Sequence, residues 1–167
     1  MRGPHTGQPG AGQPDDAFDT TVSTAPTIMV IDDSPSVRTI VQASFARVGI
    51  PTIAFPDGIE ALKALSSQEV PAPDLVLLDI GLPKMDGYEV AQILRSNGGL
   101  ERTPIIMLTA RDHVIDRLRS RMVGARDFIG KPFRVSQLVR QVCEVLQYPL
   151  PPAPQTVPPQ GDGPPKP

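Results

Sequence analysis

The sequence predicts an α/β fold, an open, doubly wound parallel sheet of five strands covered by five helices. Three observations carry this. Short apolar runs without polar alternation recur along the chain, as strands buried on both faces require. Each run is followed by a segment whose apolar residues fall at helical spacing. Every crossover then joins parallel strands, and such sheets bind ligands outside the carboxyl ends of their strands.

The elements follow in order. Thr27-Ile28-Met29-Val30-Ile31 is the first strand and runs into Asp32-Asp33. Ser34-Pro35 supplies a helix cap and a first-turn proline. Val37, Ile40, Val41, Phe45 and Val48 give the first helix its apolar spacing, and Gly49 stops it. Pro51 to Phe55 is a second strand. Asp57-Gly58-Ile59-Glu60 resembles a capping box, and Ala61, Leu62 and Leu65 continue that helix to about Gln68. Pro71-Ala72-Pro73 breaks the chain before a third strand, Asp74 to Leu78, which delivers Asp79. The loop Ile80 to Met85 leads to a second capping-box pattern, Asp86 to Glu89. Val90, Ile93 and Leu94 are expected to face inward there, and Asn97-Gly98-Gly99 ends the helix. Pro104 to Leu108 is a fourth strand ending in Thr109. Val114, Ile115, Leu118 and Met122 mark a fourth helix closed at Gly124. Arg126 to Ile129 is a fifth strand leading to Lys131-Pro132-Phe133. Val135, Leu138, Val139, Val142 and Leu146 form the last helix.

The 167 residues divide into three parts. Residues 27–148 form the folded unit. Residues 1–26 and the proline-rich tail 149–167 lack the apolar density that offsets chain entropy, and both are expected to be disordered. The net charge of −2 gives no general attraction to nucleic acid or membranes. A single cysteine, Cys143, excludes an internal disulfide, fits a reducing compartment and reads as core filler. No apolar signal core opens the chain, and no run approaches the roughly 20 apolar residues of a membrane span. The expected location is the cytoplasm.

Asp32, Asp33 and Asp79 end two strands at one sheet edge and suit a hard cation such as Mg²⁺, which takes oxygen ligands. Crowded carboxylates raise each other's pKa, and a cation relieves that repulsion. Asp79 could also act as a nucleophile, since carboxylates form aspartyl-phosphate intermediates. Thr109 offers a hydroxyl donor and Lys131 a point charge to phosphoryl oxygens. The helix beginning at Ser34-Pro35 adds a favourable dipole for anions. Each residue alone has a bland reading as a turn, cap or loop residue. All five together, at successive strand ends, do not.

These motifs, Val30-Ile31-Asp32-Asp33-Ser34, Leu78-Asp79 through Asp86-Gly87, Met107-Leu108-Thr109-Ala110 and Lys131-Pro132-Phe133, resemble the receiver domain of two-component response regulators. The resemblance covers about Thr27 to Leu146. It implies a flavodoxin-like fold with strand order 2-1-3-4-5. It also implies that Asp79 accepts a phosphoryl group from a histidine kinase or phosphotransfer protein. Asp33, Asp79 and the backbone carbonyl of Gly81 would bind Mg²⁺, with Asp32 helping through water. Thr109 would be the switch hydroxyl, Lys131 the phosphoryl clamp and Phe128 the switch aromatic. The Lys131–Pro132 bond is expected to be cis, and Pro83, Asp86 and Gly87 to shape the loop after the acceptor. A Phe at position 128 donates no hydroxyl hydrogen bond, so its switch would rest on packing; the plainer reading is a half-buried strand aromatic. Two positions depart from common family choices: Gly81 lacks a side chain over the phosphoryl site, and Arg111 adds a cation near its entrance. These would tune the acyl-phosphate lifetime.

No DNA-binding or catalytic segment is recognisable after the last helix, so the chain reads as a stand-alone receiver acting through a protein contact. By resemblance that contact uses the face of the fourth helix, fifth strand and fifth helix. Arg111, Arg117, Arg119, Arg121 and Arg126 there suit an acidic partner or a plain solvated face; no aromatic interleaving accompanies them, which argues against nucleic acid. The run Arg119 to Ala125 is similar to receivers of chemotaxis-like systems for pilus-driven (twitching) motility. The alternatives are a phosphate-independent scaffold, a phosphorelay intermediate or phosphate sink, and an Mg²⁺-dependent aspartate hydrolase. The last is disfavoured because Asp32-Asp33 and Asp79 lie on different strands. The protein is expected not to be an enzyme beyond its own phosphorylation and slow dephosphorylation.

Overall fold

The computed structural model describes residues 25–96, 98–110 and 123–150. Its elements are β1 (Ile28–Ile31), α1 (Pro35–Ala46), β2 (Thr52–Phe55), α2 (Gly58–Ser66), β3 (Leu75–Asp79), α3 (Gly87–Ser96), β4 (Ile105–Thr109), β5 (Asp127–Gly130) and α4 (Val135–Leu146). The helix expected around Val114 to Met122 lies outside the described residues, so α4 is the last of the helices read from sequence. All five strands are parallel, in the order β2-β1-β3-β4-β5.

Strand side chains alternate between two packed layers. Ile28, Val30, Leu75, Leu77, Ile106 and Leu108 face α1 and α4, where they meet Val41, Phe45, Leu138, Val142 and Cys143. Met29, Ile31, Val76, Leu78, Ile105 and Met107 face α2 and α3, against Ala61, Val90, Ala91 and Leu94. This two-sided burial is why the strands carry no polar alternation.

The helices begin and end where the sequence supplies caps. The Ser34 hydroxyl accepts from the Val37 N–H at 3.4 Å, with Pro35 in the first turn. Asp86 and Glu89 exchange bonds of 2.9 and 3.0 Å, a complete capping box. Gly49, at φ 76°, ends α1 in a Schellman arrangement: Ile50 N–H bonds Phe45 O at 2.9 Å and Gly49 N–H bonds Ala46 O at 3.1 Å. Arg95, at the end of α3, donates to the carbonyls of Glu101, Thr103 and Gly124 at 2.6, 2.9 and 2.7 Å, joining the loops that precede β4 and β5.

Two expectations need correction. Ile93 does not face inward but is 40% exposed, and Ile40 is 45% exposed. Both fall within the apolar helical arc but at its margin, beyond reach of the sheet. The strand bounds also move: β3 includes Asp79 and β4 includes Thr109. Asp79 and Thr109 are thus the last rungs of their strands.

Candidate functional site

The carboxyl edge of the sheet gathers the predicted residues. β1 ends at Ile31, and the next residue, Asp32, is fully buried while Asp33 is exposed. The central strand β3 ends in Asp79, buried at 5% exposure. Carboxylate oxygens of Asp32, Asp33 and Asp79 lie within 4.8 Å of one another. The Lys131 ammonium reaches across from the loop after β5. It sits 2.6 Å from Asp32 Oδ2 and 3.1 Å from Asp79 Oδ1. The Lys131–Pro132 peptide is cis, as expected.

Backbone bonds beyond the strand ends hold this edge in register. Ile80 N–H bonds Leu108 O at 2.9 Å, and Lys131 N–H bonds Thr109 O at 2.5 Å. Thr109, buried, lies beside Gly130 in the β4–β5 ladder. Phe128 lies opposite Met107 and packs, half-buried, on the α2–α3 side of the sheet. Gly81 is exposed; a Cβ there would stand 4.0 Å from Asp79 Oδ2, in ordinary contact, so the position lies over that carboxylate oxygen. Gly87 opens α3 directly against the backbone of Asp79 and Ile80, where a Cβ would collide with the Asp79 carbonyl. Arg111, Arg117, Arg119 and Arg121 lie outside the described residues.

The two oxygens of Asp32 are held differently. Its Oδ1 accepts the Ser34 N–H at 3.0 Å. Among the described residues, Oδ2 has the Lys131 ion contact and no hydrogen bond of good geometry. Burial pushes its carboxyl pKa up, against the opposing pull of Lys131 and the Ser34 N–H. Three carboxylates facing one ammonium leave an excess of negative charge and spare oxygen ligands. The donor set is all oxygen, from the loop after β1 and the end of β3, which fits a hard divalent cation.

Two features escaped the sequence reading. Arg38 Nη1 donates to the carbonyls of Asp32 and Asp33 at 2.6 and 3.0 Å. Asp57, which caps α2, also receives Lys84 Nζ at 3.1 Å from the loop after β3. Backbone acceptors have no signature in a sequence. The Asp57–Lys84 pair has none either, because it joins two loops whose approach is set by the sheet order.

The sequence and fold match known proteins. The family described as the response regulator receiver domain matches residues 28–143. The chain belongs to that family of signalling domains. Protein PilG of Pseudomonas aeruginosa is 32% identical over 112 residues, covering 67% of this chain and 81% of the relative. The chemotaxis response regulator CheY4 of Vibrio cholerae superposes with a TM-score of 0.66 at 27% identity, covering 73% of this chain and 99% of its own. The receiver domain of sensor histidine kinase PA1611 from P. aeruginosa, solved with magnesium coordinated in its active-site cleft, gives 0.65 at 30% identity, over 74% of this chain and 99% of that one. Other curated relatives, named as transcriptional regulators, are spanned over about half their length, 48% for one from Porphyridium aerugineum and 48% for PhoP of Bacillus subtilis. Among the described residues no helix is long and apolar enough to cross a membrane.

Proposed function

We propose that this receiver takes a phosphoryl group on Asp79 from the phosphohistidine of a kinase or phosphotransfer protein. The observation that carries the reading is the convergence of three carboxylates and one lysine at adjacent strand ends. An Asp79 carboxylate oxygen attacks phosphorus and the phosphorus–nitrogen bond of the donor breaks. The imidazole leaves with the bonding electron pair, and a mixed acyl phosphate remains. Oδ2 is the candidate attacking oxygen, since Lys131 holds Oδ1 and the position above Oδ2 carries only Gly81. Asp33, Asp79 and the Gly81 carbonyl would hold Mg²⁺, with Asp32 assisting through water. Bound there, the ion supplies charge neutralisation at the phosphoryl oxygens. The solved PA1611 receiver, with its coordinated magnesium, supports this assignment.

Lys131 keeps its ammonium beside Asp79 and would pair with a phosphoryl oxygen. Thr109 would donate its hydroxyl to another oxygen, and Phe128 would repack inward as Thr109 moves. The output is a phosphorylation-dependent change in a protein-binding face that includes β5 and α4. Similarity to PilG and CheY4 supports a place in chemotaxis-like control, and the run Arg119 to Ala125 favours twitching motility. The folded unit is residues 27–148, acting in the cytoplasm.

The test is to incubate the protein with Mg²⁺ and a small phosphodonor, then weigh it intact beside Asp79→Ala. One Mg²⁺-dependent, base-labile phosphoryl group, absent from the variant, is the expected result. No gain despite proven Mg²⁺ binding would point to a kinase-restricted receiver or a phosphate-independent scaffold.

A further inference from the structure

We propose that Arg38 is a positioning residue for the divalent-cation site, acting through the backbone of the two acids that form it. The inference rests on the reading that Asp32, Asp33 and Asp79 hold a divalent cation. Successive carbonyls and successive side chains of an extended strand point in opposite directions. In that geometry Asp32 and Asp33 could not both turn toward Asp79. The chain leaves β1 after Ile31, and both carbonyls are drawn onto a single nitrogen, Arg38 Nη1, at 2.6 and 3.0 Å. With the carbonyls gathered on one side, both carboxylates come within 4.8 Å of each other and of Asp79.

Arg38 is itself anchored. It sits in the first turns of α1, with its backbone N–H on Ser34 O at 3.1 Å. The Ser34 N–H in turn holds Asp32 Oδ1 at 3.0 Å. The single nitrogen Nη1 therefore pins the main chain of the acidic loop, while Ser34 and Lys131 pin the Asp32 side chain. Lysine carries its charge on a stem one bond shorter, so its ammonium stops short of the Nη1 position and does not replace the guanidinium here.

Two effects of Arg38 on metal affinity have opposite sign. Its positive charge repels a cation, and its hydrogen bonds pre-form the ligand set. We expect positioning to win, because the bonds act directly on the ligand backbone, whereas the charge acts on a set of three carboxylates that stays net negative beside Lys131.

The experiment is Mg²⁺ titration of the full, metal-free chain by calorimetry, for wild type, Arg38→Met, Arg38→Lys and Asp33→Asn. Both Arg38 variants should bind about tenfold more weakly, the usual scale for removing a partner that orients a ligand. Asp33→Asn marks the loss of a ligand itself. Hydrogen exchange in the metal-free state gives a second readout: the Ser34 amide should exchange faster in both Arg38 variants. Should Arg38→Met fail to fold, Arg38→Lys and its exchange rate still decide the matter. Tighter or unchanged Mg²⁺ binding in the variants, with wild type binding normally, would overturn the positioning role alone. Absence of Mg²⁺ binding by wild type would overturn both this role and the cation site on which it rests.

Discussion

Asp32 and Asp57 follow adjacent strands, β1 and β2, at the same edge of the sheet, and both are buried. Their surroundings treat them in opposite ways. Asp57 takes the Glu60 N–H on Oδ1 and the Lys84 ammonium on Oδ2. Those donors hold its pKa below the ordinary carboxylate value. Asp32 is buried more completely than its donors can compensate, and its pKa is raised. An acid kept for architecture has its charge satisfied within the fold. Asp32 keeps a cost of burial that its internal donors do not offset and that a bound cation would relieve.

The most severe test of this contrast is phosphoryl uptake. Asp79→Ala should abolish it, while Asp57→Ala should leave it within about twofold; intact mass distinguishes the two. Equal losses would erase the distinction between a site acid and a cap.

Stability should then move in opposite directions. Asp32→Asn should raise Tm in the metal-free protein at neutral pH and weaken Mg²⁺ binding at least tenfold. Asp57→Ala should lower Tm through loss of the α2 cap. Differential scanning calorimetry with and without Mg²⁺ measures both. A stabilising Asp57→Ala would show that its charge is also unmet.

Gly87→Ala tests whether the Asp79 backbone is as tightly held as its side chain. Overpacking against the Asp79 carbonyl should cost about 1–3 kcal/mol in denaturant unfolding. A neutral outcome would mean that α3 slides freely on β3.

The pH dependence sharpens the same pair further. Asp57 is depressed, so its stabilisation is present above the ordinary value of 3.8 and is lost as pH falls through its lower folded pKa. Asp32 is raised, so its cost is absent below 3.8 and grows as pH rises through its higher folded pKa. The Tm gain of Asp32→Asn should vanish in acid below that window. The Tm loss of Asp57→Ala should vanish at lower pH still.

The smallest effect concerns Cys143. Burial in the α1–α4 layer raises its thiol pKa, so reaction with a disulfide reagent should be slow in the native state and accelerate on unfolding.

The strand ends were legible in the sequence because each apolar run stops at the residue that matters. Asp79 and Thr109 close β3 and β4, Asp32 and Asp33 follow β1, and Lys131 follows β5. The lateral order of the strands was not written in local patterns. It came with the family resemblance, since β1 lying between β2 and β3 depends on crossovers rather than on composition. Periodicity located the helices but did not separate the middle of an apolar arc from its margin, which is why Ile40 and Ile93 end up exposed. Arg38 and Arg95 were invisible as structural residues because their partners are carbonyls, which every residue carries.

The ion contact between Lys131 and Asp32 joins the loop after the first strand to the loop after the last. During synthesis the acids leave the ribosome long before the lysine that balances them. A nascent chain ending before residue 131 holds its carboxylates without that counter-charge and without the β5 rung beside Thr109. The surroundings of Asp79 are therefore completed only by the last strand to be made, so a half-made chain carries the acids without the finished site.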